Sequence, residues 1–192
     1  SEVSNFEYYG LVGPNFKYLY IFDNFKGDID YDPKLISVVT LDIEVSTEGG
    51  FPNIETADKM VTAITLRKNG KSIVLGMRPY TPKKDSVKYF QCKDETDMLN
   101  KFLLIWQSEE YAPDVLTGWN VEFFDIPYLV NRIKNLLGEA EAKKLSPWKM
   151  LEEKIVDFEG KQNQSYNPVG IAVLDYYQLY RKFTFGNQES YK

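Results

Sequence analysis

The sequence contains no histidine. Imidazole-based zinc sites, serine–histidine triads and HNH-type nucleases are therefore excluded. A single cysteine, Cys92, leaves no route to an intramolecular disulfide or a thiolate zinc cluster. One thiol fits a reduced, cytoplasmic setting. No run approaches 18 apolar residues and no secretory signal opens the chain, so no membrane association is expected. Positive charge is also short: 23 Lys and Arg stand against 28 Asp and Glu, a net charge of −5. A free-standing protein that grips duplex DNA with its whole surface is ordinarily basic, which argues against that class. A carboxylate metal site that receives a few nucleotides remains compatible, because bound cations invert the local field.

What is present suits one globular domain with a small appendage. The 192 residues are 43% hydrophobic and 27% charged. Aromatic rings are abundant, with 14 tyrosines and 12 phenylalanines. Such rings fill cores and also stack on exposed bases. The chain starts Ser1-Glu2-Val3 and ends at Lys192 after a helix-like stretch, and both ends read as cuts.

Residues 1–35 read as a lead-in segment, with a strand at Phe16–Ile21. Residues 36–45 read as a buried strand, and residues 60–66 as a second. Asn69-Gly70 is a hairpin turn that returns Ser72–Met77 as a third, antiparallel strand. Val87–Gln91 adds a short strand. Asp94 caps a helix with an apolar face of Met98, Leu99, Phe102, Leu103 and Trp106. Val115-Leu116-Thr117 is another short strand, ended by Gly118. A helix over about 125–137 follows, with Pro127 in its first turn and Gly138 at its end. A short helix covers about 139–146. Lys154–Phe158 and Ile171–Leu174 read as strands joined by the polar turn Gly160–Asn167, an extended hairpin. Asp175–Lys182 reads as helical. This order implies an α/β domain with a mixed sheet and flanking helices.

Asp42 and Glu44 interrupt the apolar strand. Residues two apart share one face, so both carboxylates emerge together, about 6–7 Å apart. A divalent cation would compensate their repulsion, and Mg²⁺ favours one or two carboxylates plus substrate phosphate. The alternative is a wet face near a sheet edge. Asp125 begins the helix after Gly118-Trp119-Asn120, and Asp175 follows an apolar run. Each reads on its own as a helix cap. Asn120 reads as a turn former, and Trp119, Phe123 and Phe124 as packing residues. Lys143-Lys144 belong to a solvated face.

Together these segments resemble the exonuclease domain of family-B DNA polymerases, most closely the T4-like phage replicative enzymes. Leu41-Asp42-Ile43-Glu44-Val45 matches that family's Asp-x-Glu strand motif. Asn120-Val121-Glu122-Phe123-Phe124-Asp125 matches its Asn-x-x-x-(Phe/Tyr)-Asp motif, inside the longer string Thr117-Gly118-Trp119 to Asn131-Arg132. Gly170 to Lys182 is similar to the strand and helix that follow the second motif, and Phe16–Ile21 to the strand before the domain. The resemblance covers roughly residues 15–190.

The resemblance implies a ribonuclease H-like, DnaQ-type fold over 36–192, C-terminally incomplete. It implies a β-hairpin at about 154–172 that helps part a primer end from its template. It also implies two-metal 3′→5′ hydrolysis of the terminal phosphodiester of single-stranded DNA, with Mg²⁺ or Mn²⁺. Asp42 would bridge both metals, Glu44 would serve the metal that activates water, and Asp125 would hold the second. Asn120 with Phe123 or Phe124 would contact unpaired 3′ nucleotides. Implied partners are the palm, fingers and thumb of a polymerase and a sliding clamp. The family's third motif, Tyr-x-x-x-Asp, is expected beyond Lys192, since Tyr176–Tyr180 does not match it. The isolated chain is therefore expected to be weak or inactive. Two other classes compete: an RNase-H-like nuclease acting on RNA, and a non-catalytic domain that binds single-stranded nucleic acid.

Overall fold

A computed structural model of the chain describes residues 32–158 and 161–183. The chain divides into two units, Ser1–Pro33 and Lys34–Lys192, and every element named below lies in the second. The expected strand at Phe16–Ile21 falls outside the described residues.

Among the described residues, six strands form a mixed sheet. In chain order they are β1 (Val38–Val45), β2 (Val61–Lys68), β3 (Lys71–Gly76), β4 (Val87–Gln91), β5 (Val115–Gly118) and β8 (Ala172–Asp175). Their spatial order is β4-β3-β2-β1-β5-β8. β1, β2 and β3 are antiparallel neighbours, as expected of three adjacent strands joined in this order. The β2–β3 turn places Asn69 at φ 50° and Gly70 at φ 78°, the pair of positive values that a two-residue hairpin of this kind needs. β5 and β8 run parallel to β1 and to each other. β4 runs parallel to β3, and both run the same way as β1, so all of these strands except β2 end on the same side of the sheet, where ligand sites of open α/β sheets lie.

Two helices cover one face. Helix α1 (Glu95–Trp106) begins at Asp94, whose side chain accepts from the Asp97 amide at 2.8 Å. Helix α2 spans Asp125–Leu137 and stops at Gly138. Their apolar stripes, including Met98, Phe102, Leu129 and Ile133, join Val39, Leu41, Ile43, Ile64, Leu66 and Leu116 in one core. Each fully buried Leu, Ile or Phe contributes about 1.5–3 kcal/mol over leaving it in water. The short helix α3 (Glu139–Ala142) and a 3₁₀ turn (Lys143–Leu145) follow α2, and α4 (Tyr176–Phe183) follows β8.

One segmentation differs from expectation. The hairpin pairs β6 (Leu151–Phe158) with β7 (Lys161–Pro168), and Ile171–Leu174 does not take part in it. Residues 172–175 instead join β5 in the main sheet. The stretch 161–167 has no apolar alternation, so it resembles a turn. Polar cross-strand pairs hold it: Gln164 Nε2 donates to Glu153 Oε1 at 2.7 Å, and Asn167 Nδ2 to Glu152 Oε2 at 2.9 Å.

Candidate active site

The alternation of β1 divides its residues cleanly. Val39, Leu41 and Ile43 are buried, while Asp42 and Glu44 are exposed on the other face. The two acids share a face, as the period of two requires, and that face is accessible. Asp42 still loses enough hydration to the surrounding protein that its carboxyl is raised above the ordinary value.

β5 pairs with β1 only from Val38 to Thr40 and then ends at Gly118. Past that point no strand of the described residues pairs with the β5-facing edge of β1. Asp125 fills the position. Its Oδ1 accepts from the Ile43 amide at 2.9 Å, the peptide between Asp42 and Glu44. Asp125 is only 4% exposed. It does not cap its own helix. Phe124 occupies the cap position, and no side chain bonds there. The cap reading made from sequence is therefore replaced by a tie across the sheet. Burial pushes the Asp125 carboxyl up to about 7, with the Asp42 and Asp175 charges adding to the rise and the Ile43 amide opposing it.

The turn from β5 to α2 is tight. A Cβ on Gly118 would stand 2.6 Å from the Leu41 carbonyl oxygen and 3.0 Å from Val121 Cβ. Asn120 takes φ 60°, a left-handed value that Asn tolerates better than most residues. Its carbonyl accepts from the Phe124 amide at 2.9 Å.

The aromatic residues separate by depth. Phe123 is 7% exposed. Phe124 is half-buried and stacks on Tyr128, with ring centroids 5.8 Å apart. Trp119 is 43% exposed and meets the rings of Tyr176, Tyr177 and Tyr180 at 5.9, 5.2 and 5.6 Å.

Sequence reasoning saw Asp175 only as a helix cap. It does accept from the Tyr177 amide at 2.9 Å. It also accepts from the amides of Asn120 and Glu122, each at 3.0 Å. Those partners lie more than 50 residues away, and no local signal marks them.

The donor chemistry, carboxylate oxygen throughout, fits a hard divalent cation. Among the described residues no group of three or more metal-binding side chains is arranged to hold an ion. Asp42 and Glu44 share the exposed face of β1, and Asp125 lies buried against the Ile43 amide between them.

Comparison with known proteins agrees with the family resemblance of the sequence. The profile for the exonuclease domain of DNA polymerase family B matches residues 18–192. The DNA-directed DNA polymerase of Escherichia phage RB69 is 35% identical over 92% of this chain. That of Enterobacteria phage T4 is 32% identical over 92%. The DNA polymerase catalytic subunit of Alcelaphine herpesvirus 1 is 26% identical over 81%. The matched region is 22% of the length of each phage relative.

Proposed function

The chain belongs to the exonuclease domains of family-B DNA polymerases, and on that premise we propose that it serves as the proofreading 3′→5′ exonuclease region of a larger polymerase. The substrate would be the unpaired 3′ end of a DNA strand, and the product a nucleoside 5′-monophosphate. The observation that carries this reading is the bond from the Ile43 amide to Asp125. It brings the second motif onto the strand that bears the first.

Asp42 and Glu44 would hold Mg²⁺ or Mn²⁺ from the exposed face of β1, with Asp125 contributing from behind. Such an ion supplies positive charge for the scissile phosphate and makes a nearby water more acidic. Asp125 also fixes the backbone between the two exposed carboxylates, so their separation does not depend on the ion. Asn120 and Phe124, at the mouth of the β5–α2 turn, would contact the terminal nucleotides, and stacking there would tolerate any base. Phe123 is too buried to stack on a base and would support the turn from beneath. The fold would be ribonuclease H-like. The β6–β7 hairpin would stand between primer end and template, and the lead-in 1–35 would belong to the polymerase's N-terminal region. Palm, fingers, thumb and a clamp would be the partners.

The test is release of mononucleotides from a labelled single-stranded oligodeoxynucleotide by the full-length protein that carries this sequence. Mg²⁺ or Mn²⁺ should support the reaction and EDTA abolish it. Asp42→Ala should slow it by at least about two orders of magnitude. The lack of a three-acid cluster among the described residues favours one rival, a non-catalytic binder of single strands. Metal-independent binding that Asp42→Ala leaves unchanged, without hydrolysis, would select it.

A further inference from the structure

The β5–α2 turn carries Asn120 and Phe124, and its own backbone bonds, from the Phe124 amide to the Asn120 carbonyl at 2.9 Å and from the Ile126 amide to the Val121 carbonyl at 3.0 Å, are not all that holds it. Asn120 sits in a left-handed conformation, and the turn also receives outside support. Three contacts supply it, all from the β8–α4 junction. The Asp175 carboxylate accepts from the Asn120 amide through Oδ1 and from the Glu122 amide through Oδ2, each at 3.0 Å. Gln178 Nε2 donates to Glu122 Oε2 at 3.1 Å. The Trp119 ring packs among Tyr176, Tyr177 and Tyr180.

Asp175 is suited to this task. It is 4% exposed and lies level with Gly118 in the β5–β8 register. Both of its oxygens are engaged, with Oδ1 also accepting from the Tyr177 amide. Three amide donors compensate a buried carboxylate without a cation. Its oxygens are thereby committed to the turn rather than left free to ligate.

We propose that Asp175 is a positioning residue for the reaction, holding the Trp119–Phe124 turn so that Asn120 and Phe124 meet the 3′-terminal nucleotides in one fixed geometry. The role rests on the reading of that turn as the nucleotide contact. Asp175 touches no substrate itself. It acts through the backbone amides of Asn120 and Glu122.

The experiment uses the full-length protein with Asp175→Asn, which keeps the side chain's size but sets a second donor against one of the two turn amides. Steady-state hydrolysis of a short single-stranded oligodeoxynucleotide is measured with Mg²⁺. KM should rise about tenfold, as expected for the loss of one charge-assisted bond, with kcat changed less than about threefold. A fall in kcat at unchanged KM would mean only that less protein folds, and would overturn the proposal. So would unchanged kinetics. Amide exchange of the unmutated protein is the second arm. The Asn120 and Glu122 amides should be protected, and Asp175→Asn should speed their exchange without affecting β1–β3. Free exchange of those two amides in the unmutated protein would overturn the proposal even if the variant fails to fold. Absence of any metal-dependent hydrolysis in the unmutated protein would instead sink the exonuclease reading, and the exchange arm would still decide whether Asp175 holds the turn.

Discussion

Asp125 reaches across the sheet to the Ile43 amide, 82 residues earlier in the chain, and makes a 2.9 Å bond to the peptide that separates Asp42 from Glu44. An edge left open by the early end of β5 is closed by a carboxylate instead of a strand. The bond satisfies a buried donor at the cost of burying an acid, and several consequences can be measured.

The first concerns pH. The ordinary value of the Asp125 carboxyl is 3.8, and burial raises it to about 7 in the folded protein. Between those values the folded state keeps a proton that the unfolded chain has released. Stability from this group is therefore complete at low pH and is lost as pH rises through about 7. In EDTA, the melting temperature should fall from roughly pH 4 to pH 8, and Asp125→Asn should flatten that fall. An identical slope in the variant would exclude Asp125 as its source. Added Mg²⁺ or Mn²⁺ should raise the melting temperature more at the upper end of the range, where the acid is ionised.

Gly118 is required by closeness and not by a special backbone angle. Its missing Cβ would meet the Leu41 carbonyl and Val121, neither of which is the end of a flexible chain. Gly118→Ala should cost about 1–3 kcal/mol by urea unfolding. Because the strain falls on Leu41, next to Asp42, cation binding should weaken as well. An unchanged denaturation midpoint would refute the close-approach account.

Arg132 and Glu95 form a pair that is mostly shielded from solvent, with Arg132 Nη2 and Nε donating to Glu95 at 2.6 and 2.9 Å. Glu95 also accepts from the Val61 amide at 2.7 Å, and Arg132 Nη1 donates to the Ala57 carbonyl at 3.0 Å. The pair binds α1, α2, β2 and the loop before β2 together. Arg132→Ala leaves a buried carboxylate unpaired and should cost about 3–5 kcal/mol. Arg132→Lys should recover only part of that, since an ammonium cannot match the forked geometry. Full recovery by Lys in equilibrium unfolding would show that charge alone matters.

The hairpin is secured to α2 by Asn131. Its Nδ2 donates to the Ile54 carbonyl at 2.8 Å and to Gln164 Oε1 at 2.9 Å, while its Oδ1 accepts from the Tyr166 hydroxyl at 2.9 Å. Tyr166→Phe removes only the hydroxyl and leaves the Asn131 oxygen short of a donor. The expected loss is about 1–3 kcal/mol, confined to the two-stranded β6–β7 sheet. Hydrogen exchange should quicken in β6 and β7 and stay unchanged in β1–β3. Equal acceleration everywhere would contradict a local attachment.

Local signals were legible in the sequence. Asn69-Gly70, the Asp94 cap, the apolar stripe of α1 and the pairing of Asp42 with Glu44 on one face all depend on residues within a few positions. Features made by distant partners were not. Nothing near Asp125 announces the Ile43 amide, and nothing near Asp175 announces Asn120 and Glu122. The strand β7 was missed for a related reason. Lys161 to Pro168 lacks an apolar face, so period-two reasoning had nothing to detect. The accessibility of Asp42 and Glu44 was one of two readings that the sequence left open, because Val38 and Val45 argued for deeper burial of β1. Val38 is in fact 48% exposed.

β1 faces its neighbours in two registers at once, antiparallel to β2 and parallel to β5. One residue inserted or deleted between Val38 and Asp42 would turn both acids toward the core and Ile43 toward water. The pairing with β2 shifts only after Glu44, where Val45 meets Val61 instead of Thr62. That irregularity works as a frame-shift absorber. Length changes in the loop 46–60 can be taken up beyond it without moving either acid. An engineer grafting or shortening this domain has slack on the far side of Glu44 and none on the near side.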